Sequence, residues 1–581
     1  MIDTVNYKLR MENQVKRTKM RPELEIVFRS ACARSHENEE RIKELCDAGV
    51  NWSEVLACAI EHKLTLTLYE AVCALDKDIV PHQTREALAE IVHITTRDNF
   101  RFLSEMIRLQ VLFETARIPA IPFKGPSLAW IAYPNFVQRT CADLDFVVPQ
   151  RYIPEVVSLL KTNKYIPQFS LNEAQAGERG PVPGQYAFAP TEKSCYLELH
   201  TERTLRYFSH PLNLEQMNSR LLQLNIAGQN LRTFSVEDLL IMLSVHGAKH
   251  FWDRLSWIFD ISQLIKAREV NWVLLLQIAA NMESTRVLFL GLYLAHELFG
   301  AALPQHVLEQ CRRDKKVKWL ADKVLEGYEG DSSPTIGVWP RAVFRFRSSD
   351  RYWKGLRHLV RLAMSPTESD RQTINLPRFL NPFYRVWRPF RLMREYGLGL
   401  MNRRAKTDLA IFIPTSQDVV EQMLWLAEVA PGDVLYDLGC GDGRIVVTAA
   451  KKFGIRAVGV DINPARIAEA RANARQNGVS DLVQFILGDA KKADFSKATV
   501  VTMYLGADGN LRLVDQLRSQ LHPGTRIVSR DFLIYGWEPE RNESYFLPNG
   551  DRTSLYLWIV KGQESASVGT TGAISGASRS T

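Results

Sequence analysis

The run Val434-Leu-Tyr-Asp-Leu-Gly-Cys-Gly-Asp-Gly-Arg444 constrains the last third of this chain more than any other feature. Val434–Leu438 is a brief, mostly apolar run closed by turn residues, which reads as a short buried strand. Gly439, Gly441 and Gly443 follow as a tight turn, and Ile445–Lys452 resumes helical periodicity. Glycine suits such a turn because the backbone must take positive φ and a ligand can approach where no Cβ stands. The helix behind it offers unpaired N–H groups and a partial positive charge. A second apolar run, Ala457–Val460, ends in Asp461, where strand-turn-helix folds place an acid for a ribose diol. This order predicts a nucleoside-cofactor site.

The spacing D-L-G-x-G-x-G departs from the dinucleotide G-x-G-x-x-G, since Asp437 precedes the loop and the third glycine comes early. A carboxylate there suits a cationic or amino-acid ligand better than a pyrophosphate. Further markers are the Gly488-Asp489-Ala490 turn after Val483–Leu487, the strand Thr499–Leu505 and the stretch Leu521–Ser529. With these, the segment from about Ile411 to Lys561 closely resembles the class I S-adenosylmethionine-dependent methyltransferases. The resemblance implies a Rossmann-like domain in which Asp437, Gly439, Gly441 and Gly443 face the methionine part of S-adenosyl-L-methionine. It gives Asp461 the ribose hydroxyls and Asp489 the adenine edge. Many amino-group methylating relatives carry an acid or Asn, two prolines and an aromatic after the fourth strand. Thr502–Asp508 lacks that pattern, which argues against base N-methylation. Ile413-Pro-Thr-Ser-Gln417 and Met503-Tyr-Leu-Gly506 are instead similar to small protein-lysine methyltransferases, among them enzymes acting on mitochondrial membrane proteins. That likeness implies a protein-lysine acceptor. Tyr504 and Asp531 are the candidates near the transferred methyl, with a core tyrosine and a strand-end acid as the plain alternatives.

A second constellation stands earlier. Asp143 and Asp145 are two positions apart at the start of the strand Leu144–Val148, so alternation points both carboxylates to one side. Glu198, on the strand Cys195–Leu199, adds a third if that strand lies alongside. Three converging carboxylates repel one another and are stable chiefly when divalent cations neutralise them. Gly125-Pro-Ser127, at a strand-to-helix turn, adds N–H groups and a hydroxyl suited to a triphosphate. Together they describe a two-metal nucleotidyl-transfer site. The alternative is a pair of acids capping a strand at a solvated edge.

The surrounding residues are Ile118–Ala129, Arg139-x-x-x-Asp143-Leu-Asp-Phe-Val-Val148, Leu197-Glu-Leu-His200 and His246–Asp260. Over about Arg21–Gly397 they resemble an uncharacterised bacterial nucleotidyltransferase family of polymerase-beta-like fold. That implies Mg²⁺ or Mn²⁺ held with a nucleoside triphosphate (NTP) by Asp143, Asp145 and Glu198, where the family's usual third acid is Asp. Lys124 and Lys249 are candidate phosphate contacts. His246, Lys249 and His250 share a helix face, and the histidines read better as a semi-buried packing seam than as ligands.

At 581 residues the chain exceeds one core, and roughly three or four domains are expected. The reading is a basic arm (1–21), a nucleotidyltransferase-like domain with a helical bundle (22–325), a basic aromatic connector (326–406), the methyltransferase domain (407–561) and a disordered tail (562–581). The fold class is thus multidomain, α/β and α+β. Helical spacing runs from Pro22 to about Arg117 and again from Leu214 to about Leu325. Eight scattered cysteines without a C-x-x-C pair fit reduced thiols in a cytoplasm and argue against a zinc site. No apolar run approaches the ~20 residues of a membrane span.

Charge is uneven. Arg341–Lys406 holds 16 Lys/Arg against 4 Asp/Glu, and Phe344-Arg-Phe-Arg, Tyr352-Trp-Lys and Phe383–Arg394 interleave aromatics with the arginines. An anionic membrane surface, a nucleic acid or simple packing with solvated arginines would each account for it. The whole reads as a bifunctional transferase without a membrane span, cytoplasmic or peripheral to a membrane, whose two acceptors the residues do not name. The alternatives are a nucleic-acid methyltransferase, or a methyltransferase whose N-terminal part binds the acceptor without catalysis.

Overall fold

The apolar spacing that begins at Pro22 becomes, in a computed structural model of the chain, five helices: Pro22–Ala31, His36–Asp47, Trp52–Glu61, Thr65–Ala74 and the long His82–Thr115. Ser35 and Asn51 cap two of them by accepting from the N–H groups of Asn38 and Glu54 at 3.2 and 3.0 Å. The structure describes residues 20–32, 35–167, 184–190, 195–202, 212–329, 338–364, 383–384, 386–389, 414–546 and 552–561. Most of the basic arm, the loop 177–183, most of the connector beyond Met364 and the tail lie outside them.

The next elements form a five-stranded sheet from β1 (Ile121–Pro122), β2 (Leu144–Val147), β3 (Tyr165–Pro167), β4 (Gln185–Pro190) and β5 (Leu197–His200), in the order β1-β2-β5-β4-β3. The run Ile118–Phe123 pairs over only two residues, because Pro119 and Pro122 bring no N–H to a ladder. β2 and β5 are the parallel pair, in register Asp145 with Glu198. The expected helical block after Leu214 is interrupted by a hairpin, β6 (Leu222–Ile226) and β7 (Gln229–Thr233). Leu222, Leu224 and Ile226 alternate with polar residues there, and Ala227 and Gly228 take φ of 51° and 80°, as a type I′ turn needs. Six helices then run from Val236 to Gly327.

The C-terminal sheet has seven strands: β8 (Val434–Leu438), β9 (Arg456–Asp461), β10 (Val483–Leu487), β11 (Val500–Met503), β12 (Arg526–Arg530), β13 (Arg541–Phe546) and β14 (Arg552–Ile559). Their order is β10-β9-β8-β11-β12-β14-β13, parallel from β10 to β12 and antiparallel at β14 and β13. Two apolar clusters cover its faces, one holding Leu435 and Val446, the other Leu438 and Val501, as a parallel sheet requires. The order reverses between β8 and β11, so a crevice opens beyond their carboxyl ends.

The Gly506–Gln520 helix, which follows β11, packs on the Trp52–Glu61 helix and joins the two parts. Leu511 is buried in the N-terminal core, and Arg512 Nη2 donates to Glu61 Oε2 at 2.5 Å. Lys491 pairs with Glu54, and Asn51 Nδ2 donates to Asp515 Oδ2 at 2.9 Å. Glu61→Ala is expected to destabilise the chain by about 2 kcal/mol, since it deprives a buried guanidinium of its shortest partner. Adding Arg512→Met should restore most of the loss. Denaturant unfolding of the single and double variants measures both, and a Glu61→Ala midpoint equal to wild type would discard the role given to this pair.

Candidate functional site

At the head of the C-terminal crevice the three loop glycines all take the left-handed backbone, with φ of 84° at Gly439, 54° at Gly441 and 75° at Gly443. A Cβ on Gly439 would stand 2.5 Å from Leu505, and one on Gly443 2.8 Å from Ala470 and Phe485. The glycines therefore serve close packing as well as the turn. Asp461 Oδ2 accepts from the Gly441 N–H and its Oδ1 from the Asn463 N–H, both at 2.8 Å. This carboxylate ties β9 to the loop, a role its place at a strand end alone does not reveal. Asp489 begins the next turn, accepting from the Lys491 N–H at 3.0 Å.

Asp437 is buried on β8 and accepts from Thr502 Oγ1 at 2.8 Å. Burial pushes its carboxyl up to about 7, and the charges of Asp461 and Asp442 add to that against the Thr502 bond. A buried carboxyl with so few partners suits a cationic group. The residues present therefore fit S-adenosyl-L-methionine, whose amino-acid ammonium Asp437 would hold.

Tyr504, just past β11, is half-buried, stacked on Phe532 at 5.9 Å with the Arg530 guanidinium 4.4 Å from its ring centre. Burial raises its pKa, and the Asp531 charge acts the same way against the Arg530 guanidinium, so it stays a neutral phenol. Asp531 takes φ of 60° and accepts from Thr553 Oγ1 and the Ser554 N–H at 2.8 and 2.9 Å. Arg530, buried beneath, keeps Nη1 without a hydrogen-bond partner among the described residues. Tyr196 of the N-terminal part also lies within electrostatic reach of Tyr504. Arg530 and Tyr196 were not legible as site residues: an arginine at a strand end and a tyrosine between Cys195 and Leu197 carry no motif.

The second centre sits where β2 and β5 run side by side. His200 Nε2 lies 2.7 Å from Asp145 Oδ1 and 3.6 Å from Glu198 Oε2, and Lys124 Nζ lies 3.5 Å from Asp145 Oδ1. Burial pushes Asp145 up, but Lys124 and the His200 bond outweigh it and hold the carboxyl well below the usual range. Asp143 and Glu198 move the other way, raised by burial and then by the Asp145 charge. Donor atoms of Asp145, Glu198 and His200 lie within 4.8 Å of one another, a set that fits a divalent cation. Asp143 stands beside that set rather than in it.

Of the predicted phosphate contacts, Lys249 faces Glu198 and Asp145, while Gly125 turns with φ of 54° against the Asp143 carbonyl. Ser127 is buried, its hydroxyl donating to the Lys124 carbonyl at 2.9 Å, so it fixes the turn rather than facing the cleft. Lys63, which no motif marks, takes φ of 54° and approaches Asp143; burial lowers its pKa to about 8. His246 and His250 lie 4.8 Å apart and each 5.1 Å from the Trp257 ring, a packed seam. Burial drives His250 down to about 3, so its imidazole is neutral.

Residues 48–300 match the family described as an uncharacterised nucleotidyltransferase, and residues 437–541 the ANTKMT methyltransferase domain. A protein-lysine N-methyltransferase of Saccharolobus islandicus is 45% identical over 151 residues, 26% of this chain and 92% of that protein. The adenine nucleotide translocase lysine N-methyltransferase of Mus musculus is 35% identical over 129 residues, 22% of this chain and 56% of that protein. Among solved structures, an RNA methyltransferase of Salinibacter ruber in complex with S-adenosyl-L-homocysteine is 47% identical, covering 26% of this chain and 94% of that one, with a TM-score of 0.24. The chain thus spans nearly all of the archaeal relative but only a little over half of the mouse one.

Proposed function

The C-terminal domain of this chain belongs to the S-adenosylmethionine-dependent methyltransferases, the N-terminal part matches an uncharacterised nucleotidyltransferase family, and from that we propose a bifunctional transferase. Its methyl acceptor is a protein lysine, and its second centre transfers a nucleotidyl group from an NTP with Mg²⁺ or Mn²⁺. One observation carries the lysine reading: the near-complete match to the archaeal protein-lysine enzyme, with Met503-Tyr-Leu-Gly506 at the mouth of the crevice.

Bound S-adenosyl-L-methionine supplies an electrophilic methyl on a sulfonium. Asp437 pairs with its ammonium, Asp461 takes the ribose hydroxyls and Asp489 the adenine edge. Transfer is an in-line displacement, so the chain's task is alignment of an acceptor amine whose ammonium has first lost one proton to solvent. Tyr504, which feels the Asp531 and Arg530 charges, would accept a hydrogen bond from the incoming nitrogen. At the second centre Asp145 and Glu198 would hold the cation with Asp143 beside them, and Lys63, Lys124 and Lys249 would meet the phosphates.

Incubating wild type and Asp461→Ala with methyl-labelled S-adenosyl-L-methionine and a bacterial lysate tests the acceptor. Label is expected in protein, on lysine, and is expected to vanish in the variant. Label recovered in RNA or DNA instead would replace the lysine reading with a nucleic-acid one.

A further inference from the structure

The Val338–Ser348 helix is anchored in the N-terminal part: Phe344 is buried in that core, and the helix packs on Lys315–Gly327 and Val236–Lys249. The Tyr352–Met364 helix folds back against it. Gly355 sits so close that a Cβ would stand 3.0 Å from the Phe346 ring, and Tyr352 meets that ring edge-on at 4.7 Å. The other side of this helix has no cover among the described residues. Trp353 is 79% exposed, Leu356 42%, Val360 49% and Met364 41%.

Positions 353, 356, 360 and 364 follow helical spacing and make one stripe along the outer face. A water-facing stripe is ordinarily polar, and here it holds four large apolar side chains. Exposed Arg351 and Arg357 accompany them, and the sequence adds Lys354 and Arg361 to the same helix or its threshold. Phe383 and Val386, in the same basic region, are half exposed too.

The charge selects an anionic occupant, since residues 341–406 hold 16 Lys/Arg against 4 Asp/Glu. The apolar residues select among anionic occupants. Leucine, valine and methionine neither stack on bases nor bond phosphates, whereas they enter the boundary between headgroups and acyl chains. No helix among the described residues is long and apolar enough to cross a membrane, so this one would lie along its surface. We infer that the Tyr352–Met364 helix is a membrane-docking helix that lays Trp353, Leu356, Val360 and Met364 into an anionic bilayer.

The test uses the full chain, sedimented with phosphatidylcholine vesicles that contain or lack phosphatidylglycerol. Wild type is expected to bind the anionic vesicles and to leave the neutral ones. Leu356→Glu/Val360→Glu should weaken that binding by about tenfold or more, through lost insertion and added negative charge. Both positions are exposed, so unchanged circular dichroism and S-adenosyl-L-methionine affinity would show that the fold is kept. Wild type that ignores anionic vesicles overturns the inference, as does a double variant that binds them equally well. If wild type ignores vesicles but binds a mixed-sequence oligonucleotide, and the variant does not, the face belongs to nucleic acid instead.

Discussion

In Asp437→Asn, S-adenosyl-L-methionine binding is expected to fall about a hundredfold and to lose its dependence on pH. Only the carboxylate form of Asp437 can pair with an ammonium, and in the unbound protein that carboxyl is pushed up to about 7. Below that pH, binding must expel a proton, so wild-type affinity should rise with pH up to about 7 and then level off. Stability without the cofactor runs the opposite way. A carboxyl raised from 3.8 to about 7 by folding contributes its full stability below its unfolded value. That contribution is lost as pH climbs between the two, and a bound cation offsets the loss. Titration calorimetry across this range, in buffers of different ionisation enthalpy, reads both the affinity and the released proton. Equal affinities of wild type and Asp437→Asn above pH 7 would remove the ammonium from this position.

The second large effect belongs to Asp145. Asp145→Ala is expected to reduce metal-dependent nucleotidyl transfer by roughly a thousandfold or more, because a group acting in a multi-residue centre is seldom replaced by its neighbours. Asp145 is buried and shared by Lys124 and His200, and it lies in register with Glu198. Asp145→Asn keeps the shape and removes the charge, which separates lost charge from lost packing. Incorporation of nucleotide labelled at the α-phosphate, with Mg²⁺ and then Mn²⁺, provides the measurement. S-adenosyl-L-methionine affinity should not move in either variant, since Asp437 and Asp145 lie on different sheets. If wild type neither binds triphosphate nor transfers a nucleotide, the N-terminal part serves to recruit the methyl acceptor. Mg²⁺-dependent triphosphate affinity that is lost on mutating Asp143 would count against that second reading.

Much of this molecule was legible in order along the chain. Val434–Leu438 and Val483–Leu487 are strands with the expected bounds, and Gly439, Gly441 and Gly443 take the positive φ that their spacing called for. The hairpin at Leu222–Thr233 was hidden because a five-residue alternation is brief beside the helical periodicity around it. At the second centre, Leu197-Glu-Leu-His200 was legible as a motif, but His200 had no assigned task until its ring was seen 2.7 Å from Asp145. Ser127 shows the converse: its type suited a phosphate, yet its hydroxyl is spent on the Lys124 carbonyl.

By itself the sequence determined the elements whose causes are local: the glycine turn, the strands on either side of it, the helices set by apolar spacing, and the charge excess of 341–406. These follow from allowed φ and ψ and from periodicity, which act within a few residues. Only the tertiary structure decided which distant side chains meet. Strand order brought Glu198 and His200 beside Asp145, an unusual backbone turned Lys63 toward Asp143, and domain docking set Tyr196 near Tyr504. It alone also decided that Trp353, Leu356, Val360 and Met364 face outward. An apolar stripe looks the same in sequence whether a core or a membrane covers it, and packing against the rest of the chain tells the two apart.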